Sequence, residues 1–242
     1  MRKAIVLLAI ALCFATKASA LCTVSPCVFV SGGTTYSWTW VVPSGVTSVT
    51  VTINGAGGGG GGGGDCQAAI DANDGSNGFT TTITSTGLSL EVRGGGGGGA
   101  SLGTSCGSVD SNGSQYGTNI GTGLTFTTYG GSSGGIGGSG WFGAATGSTG
   151  NNGDSGTGTI SSTPGATWSI TLGTGGDAGN NQGGRGGDGS GGGDGTVTIS
   201  WVTPPSGFPE FIRSDLQEPP EHYWIDERSR RQMSTRTGSN KT

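Results

Sequence analysis

Asp65 and Asp71 are close enough in sequence to suggest a general acid and base, but nothing between them fixes a geometry. The single histidine, His222, stands beside Tyr223 near the C-terminus, with no G-x-S-x-G nucleophile turn to accompany it. Residues 183–188 read GGRGGD, the start of a calcium-binding nonapeptide repeat, but the repeat breaks down after Asp188. Asp71, Asn73 and Asp74 offer oxygen ligands to a calcium ion, and an ordinary Asx-rich turn accounts for the same residues. Gly-x-Gly patterns abound, yet no helix follows them to complete a phosphate cradle. The expectation is a protein that is not an enzyme, with no cofactor and no metal site.

Recognition chemistry is better represented. Trp141 and Phe142 are adjacent aromatics between the last two glycines of the run Gly131–Gly143, and Asn151 lies inside the run Gly147–Gly156. Tyr116, Asn112 and Asn181 lie in polar stretches that join runs. Aromatic and amide side chains on loops of a stiff scaffold suit saccharide or protein surfaces, so these six are the candidate ligand-binding residues. The plainer role for Trp141 and Phe142 is to close the scaffold against its own core. Cys22, Cys27, Cys66 and Cys106 remain once an N-terminal leader is set aside, an even number with three possible pairings. The favoured pairs are Cys22–Cys27, a small loop around Pro26, and Cys66–Cys106, a clip between two loops. Zinc binding by these thiols is disfavoured, because their spacings are scattered and no histidine is near.

The elements that must position these residues are written in glycine. Gly131, Gly134, Gly137, Gly140 and Gly143 recur at every third position, as do Gly147, Gly150, Gly153 and Gly156, and again Gly183, Gly186, Gly189, Gly192 and Gly195. Residues 55–64 and 94–99 are glycine runs interrupted only by Ala56. A glycine at every third residue suits a left-handed polyproline-II-type helix with three residues per turn, whose bare edge can lie against a neighbour. About six such rods are expected, bonded sideways through their main chains. Between them stand segments with a period of two: residues 35–42, 46–53, 79–83, 88–92, 124–129, 166–172 and 196–202. Valine, isoleucine and tryptophan alternate there with threonine and serine, which predicts strands with one dry face. The fold class expected is all-β: a small β-sandwich with inserted stacked polyglycine helices, no α-helix in residues 21–202, and an irregular C-terminal tail.

Arg2 and Lys3, the apolar stretch of residues 4–15, and Ala18-Ser19-Ala20 read as a signal peptide over residues 1–20. The apolar stretch is too short to span a bilayer, which needs roughly 20 residues, so no transmembrane anchor is expected. Residues 21–202 form the glycine-rich domain. It holds two basic residues, Arg93 and Arg185, against nine acids, a balance that opposes nucleic acid as a partner. Residues 203–242 differ in kind, with six acids and six basic residues mixed with Phe208, Phe211, Tyr223 and Trp224. They read as a charged, partly extended or disordered tail, able to bind a protein partner or a second copy.

Residues 38–60, WTWVVPSGVTSVTVTINGAGGGG, resemble the opening of the glycine-rich domain found in bacteriophage tail-fibre adhesins and related secreted surface proteins. Residues 167–201 resemble its closing part. The resemblance implies stacked glycine helices that carry receptor-binding loops, with a cell-surface glycan or outer-surface protein as the partner. The leader and the cysteines depart from that pattern. They imply a secreted, periplasmic or extracellular protein, or one on a virion surface. The alternative role is a structural coat, matrix or virion component that assembles through residues 203–242.

Overall fold

Apolar and hydroxyl side chains that alternate along an extended chain make a ribbon with one face to bury and one to wet. The computed structural model describes residues 18–19, 22–31, 36–182 and 184–202. Among them are twelve strands and no helix, so none that could cross a membrane: β1 (Ala18–Ser19), β2 (Cys27–Phe29), β3 (Ser37–Val41), β4 (Ser48–Asn54), β5 (Thr81–Ser85), β6 (Leu88–Val92), β7 (Ser101–Leu102), β8 (Ser108–Val109), β9 (Leu124–Thr127), β10 (Ser155–Ser161), β11 (Thr167–Thr171) and β12 (Thr196–Ser200). Residues 1–17, 20–21, 32–35, 183 and 203–242, the last with its aromatics and histidine, lie outside the described residues.

Two five-stranded sheets form, in the orders β1-β3-β11-β5-β6 and β2-β12-β4-β10-β9, beside a small β7-β8 pair. All pairings are antiparallel except that of β1 with β3. The dry faces of the two large sheets share one core, a sandwich-like arrangement. Val49, Val51 and Ile53 of β4 and Val197 and Ile199 of β12 meet Trp40, Ile83, Leu90, Trp168 and Ile170 of the other sheet. Trp40 holds the centre of an aromatic cluster, with ring centroids 5.2 Å from Trp168 and 5.6 Å from Trp201. The wet faces carry threonine in register, as where Thr52 and Thr157 of paired strands place their hydroxyls 3.1 Å apart.

All seven expected strands are present, with ends shifted by a few residues; Leu88–Val92 agrees at both ends. One correction concerns β10. Gly156 continues the triplet count from Gly147, but it lies in a strand, because residues 155–161 pair with both β4 and β9. Its absent side chain leaves room for Phe126 and Val92, each 3.1 Å from where a Cβ would stand. Gly143 likewise ends its run in a turn, with φ of 89°.

The chain between the strands bonds to itself in threes. Residues 55–64, which continue β4, are buried throughout. Their N–H groups reach three neighbours in rotation. Gly55, Gly58 and Gly61 donate to the carbonyls of Asp154, Asn151 and Ser148. Ala56, Gly59 and Gly62 donate to Phe79, Ser76 and Asn73, while Gly57, Gly60 and Gly63 donate to Gly193, Ser190 and Gly187. The partner numbers fall as the donor numbers rise, so these three neighbours run antiparallel. The carbonyls of the same central segment receive three parallel neighbours: Ser132, Gly135 and Gly138; Gly95, Gly98 and Ser101; and Gly176 and Gly179.

The six surrounding segments also bond to each other and close a ring. Segment 94–101 takes bonds from 73–79, which bonds 174–180; that segment takes bonds from 187–195, which bonds 132–141; and 147–154 joins 132–141 back to 94–101. Parallel and antiparallel neighbours therefore alternate around the centre. Each segment continues a strand of the sandwich, so the bundle extends the two sheets lengthwise.

At the glycine positions side chains have no room inside this ring; Ala56 is the one non-glycine residue of the central segment. A Cβ at Gly58 would lie 2.1 Å from the Gly96 carbonyl oxygen, and one at Gly59 1.9 Å from that of Asp177. The same holds for the described triplet glycines on the ring: 2.2 Å at Gly131, 1.9 Å at Gly134, 1.8 Å at Gly137, 2.2 Å at Gly140, 2.0 Å at Gly186, 2.3 Å at Gly189 and 2.1 Å at Gly192, each against a backbone oxygen. By contrast, a Cβ at Gly193 meets nothing closer than 3.5 Å, at ordinary φ. Gly58→Ala should therefore lower stability by about 3 kcal/mol or more, as overpacking against backbone does. Gly193→Ala should be neutral, or stabilising by about 0.4–1 kcal/mol through the unfolded chain. Thermal unfolding of the two variants measures both.

Candidate functional site

Each bundle segment joins a strand at one end, so the opposite ends form a tip remote from the sandwich. Four loops close it: residues 65–72, 102–109, 141–146, and 180–182 with 184–186. Backbone and covalent links bind them together. Cys66–Cys106 is a disulfide between the first two loops, and Cys22–Cys27 is the second disulfide, at the N-terminal end of the domain. Trp141 N–H donates to the Gly64 carbonyl at 3.0 Å and ties the third loop to the first. Arg185 N–H donates to Asp65 Oδ2 at 3.2 Å and ties in the fourth.

Asp65 is the hub of the tip. Only 3% of it is exposed, and its Oδ1 also accepts the N–H groups of Gln67 and Ala68 at 2.9 and 3.2 Å, an Asx turn. Burial works to raise its pKa. The N–H donors of Ala68, Arg185 and Gln67, with the Arg185 charge, outweigh that and hold it below the ordinary carboxylate value.

The tip also concentrates strained backbone. Non-glycine residues with φ in the left-handed region are Ala69, Tyr129, Phe142 and Gln182 among the described residues, at 52°, 56°, 49° and 53°. Three of these sit in three different tip loops. Such conformations cost about 1–3 kcal/mol each and persist where the surroundings force them. Phe142 is 69% exposed and Trp141 43% exposed.

The six candidate binding residues fall in three places. Trp141, Phe142 and Asn181 lie at the tip. Asn181 N–H donates to Asp188 Oδ1 at 2.9 Å, and its Nδ2 to the Gly186 carbonyl at 2.5 Å. Asn112 and Asn151 pair along the side of the bundle, Nδ2 to Oδ1 at 3.2 Å. Asn112 also accepts Gly99 N–H at 3.1 Å and donates to the Thr149 carbonyl. Tyr116 lies beside the sandwich end, its ring edge-on to Phe79 with centroids 5.3 Å apart and its backbone paired with Gly94.

The carboxylates considered for chemistry are engaged within the fold. Asp71 accepts the Thr104 N–H and hydroxyl at 2.9 and 2.8 Å, and these bonds lower its pKa. Asp74 accepts Ala100 N–H at 2.6 Å, and Asn73 donates to Asn180 Oδ1. Among the described residues no group of three or more His, Cys, Asp or Glu could hold a metal ion.

Sequence reading gave no site role to Asp154, the most completely bonded carboxylate described. It is fully buried at the seam between sandwich and bundle. Oδ2 accepts Arg93 Nε at 2.8 Å, its Nη2 at 2.7 Å, and Asn119 Nδ2 at 2.6 Å. Oδ1 accepts Gln115 Nε2 at 2.7 Å and Tyr129 N–H at 3.0 Å. These partners are 25 to 61 residues away in sequence, so no local pattern announces them. Burial works to raise its pKa, and the four partners, Asn119 first, outweigh it and keep the group ionised below the ordinary value.

Because the folded pKa of Asp154 is depressed, its stabilisation is complete above the ordinary value of 3.8 and is lost as pH falls through the lower folded value. Asp154→Asn, which strands the Arg93 charge, should cost about 3–5 kcal/mol at neutral pH. It should also flatten the acid limb of stability; denaturant unfolding across that pH range would show both. The chain matches no protein-family model, and no curated protein is similar to it.

Proposed function

We propose that this protein is a secreted or virion-surface recognition module. Its glycine segments act as left-handed polyproline-II-type rods that hold the tip loops rigid, and the tip engages a glycan or protein on a cell surface. The three-residue rotation of the central hydrogen bonds supports the rod conformation, since three residues return such a helix to the same neighbour. The resemblance of residues 38–60 and 167–201 to the glycine-rich domain of tail-fibre adhesins points the same way.

The observation that carries the functional reading is the coincidence at the tip of left-handed Ala69, Phe142 and Gln182 with exposed Trp141 and Phe142. An exposed aromatic pair on pinned loops gives a large contact area at little entropic cost. The Asn112–Asn151 pair supports the scaffold in this reading, because Asn112 spends its amide on backbone partners.

A Trp141→Ala, Phe142→Ala double variant should lose binding to whole cells or to a glycan array by about 100-fold, as removal of hot-spot aromatics does. Its melting temperature should stay near that of the parent. Tyr116→Ala, at the other end of the bundle, should bind normally. Unchanged attachment by the double variant would overturn the assignment of the tip. Loss of assembly without loss of binding on removing residues 203–242 would instead favour a coat or matrix role for the tail.

A further inference from the structure

Four Asn-Gly and three Asp-Gly pairs occur in the sequence: Asn54, Asn77, Asn112 and Asn152, and Asp74, Asp188 and Asp194, each followed by glycine. These are the dipeptides most prone to succinimide chemistry, because glycine leaves its own amide nitrogen open to attack the preceding side chain. In the reaction the glycine nitrogen loses its proton to water or hydroxide and bonds to the side-chain Cγ. Asparagine expels ammonia and aspartate expels water. Water then opens the ring at either carbonyl, giving aspartate or isoaspartate.

In the bundle every one of these nitrogens is occupied. Gly55 donates to Asp154, Gly78 to Gly95, Gly113 to Gly97 and Gly153 to Ser132, all at 2.8–3.0 Å. Gly75 donates to Gly98, Gly189 to Gly179 and Gly195 to Gly173, at 2.8–2.9 Å. Every side chain is held as well. Asn77, Asn112, Asn152 and Asp74 each accept the N–H of an adjacent segment, at Gly97, Gly99, Gly134 and Ala100. Asp188 accepts Asn181 N–H, Asp194 accepts Gly175 N–H, and Asn54 donates to the Thr196 hydroxyl. Attack would need the side chain to swing off its partner while the glycine nitrogen leaves its own.

We infer that the bundle closes seven latent modification sites, which open only when the chain unfolds, so that prolonged unfolding becomes irreversible. Isoaspartate adds a methylene to the backbone and breaks the three-residue register. Deamidation at Asn112 or Asn152 sets a carboxylate oxygen against the Thr149 or Tyr129 carbonyl that the amide served. A chain altered in this way lacks the matching donors and spacing to rebuild the ring.

The full chain, native or unfolded in guanidinium with its disulfides intact, would be held in mildly alkaline buffer and followed by peptide mass mapping with isoaspartate detection. Native protein should deamidate at least about tenfold more slowly at all four Asn-Gly pairs, because exchange must wait for opening. Any pair that ages natively within tenfold of its unfolded rate would overturn the closure. Samples aged unfolded are then returned to native buffer, with a parallel set aged in mild acid, where the Asn-Gly pairs deamidate slowly. Refolding yield should fall in step with isoaspartate content in both sets, whichever pairs supply it. Equal yields from modified and unmodified chains would overturn the one-way behaviour.

Discussion

Contact between bare main chains is the constraint that organises this molecule. The central segment, residues 55–64, spends its N–H groups on three antiparallel neighbours and its carbonyls on three parallel ones. Apart from the Ala56 methyl, no side chain lies between them, and at the glycines the positions where a Cβ would stand face the carbonyls of the parallel neighbours. Polarity therefore sorts the ring: a neighbour that supplies carbonyls runs against the centre, and one that supplies N–H groups runs with it. Alternation around the ring follows, because each segment must also bond the segments on its flanks.

The balance of forces explains why the bundle is built onto a sandwich. A hydrogen bond contributes about 0.5–1.5 kcal/mol net. Ordering one backbone residue costs about 1–2 kcal/mol, and glycine stands at the costly end. A lattice with few side chains to bury cannot gain much beyond that balance. Every segment is accordingly anchored at one end by a strand whose alternate residues enter the Trp40 core, and at the other by the tip. The buried Thr81 shows how the two materials are joined. Its hydroxyl donates to the Asn54 carbonyl and accepts Gly173 N–H, stitching the ends of three strands where sheet pairing gives way to the bundle.

The period of two was legible, since it depends on the local chain alone: Val49, Val51 and Ile53, and Trp168, Ile170 and Leu172, are buried as their alternation implies. The three-residue spacing of the glycines was readable for the same reason. Which run would be central was not, because residues 55–64 have no triplet signature and owe their place to partners up to 136 positions away, as in Gly57 to Gly193. Residues 155–161 illustrate the converse. Gly156 looks like a continued triplet after Gly147, Gly150 and Gly153, and only the pairing with β4 and β9 makes it part of a strand. The backbone role of the bundle's polar residues was not legible either. Asn112, a candidate for a ligand, completes backbone bonding at the bundle surface with its amide.

That role follows from the geometry of the ring. An outer segment has neighbours on three sides and solvent on the rest, so some of its N–H groups find no main-chain acceptor. An Asx side chain on the next segment reaches across to supply one: Asn77 for Gly97, Asn112 for Gly99, Asn152 for Gly134 and Asp74 for Ala100. Asparagine and aspartate are short enough to do this without leaving the surface of the bundle. The tip extends the same device, with Asp65 collecting N–H groups from two loops where the segments end. Loops held in this manner can keep Ala69, Phe142 and Gln182 in conformations that a free chain would abandon, because relaxing one of them would unseat bonds made by its neighbours. Rigidity at the tip is thus a consequence of how the lattice satisfies its last unpaired backbone groups.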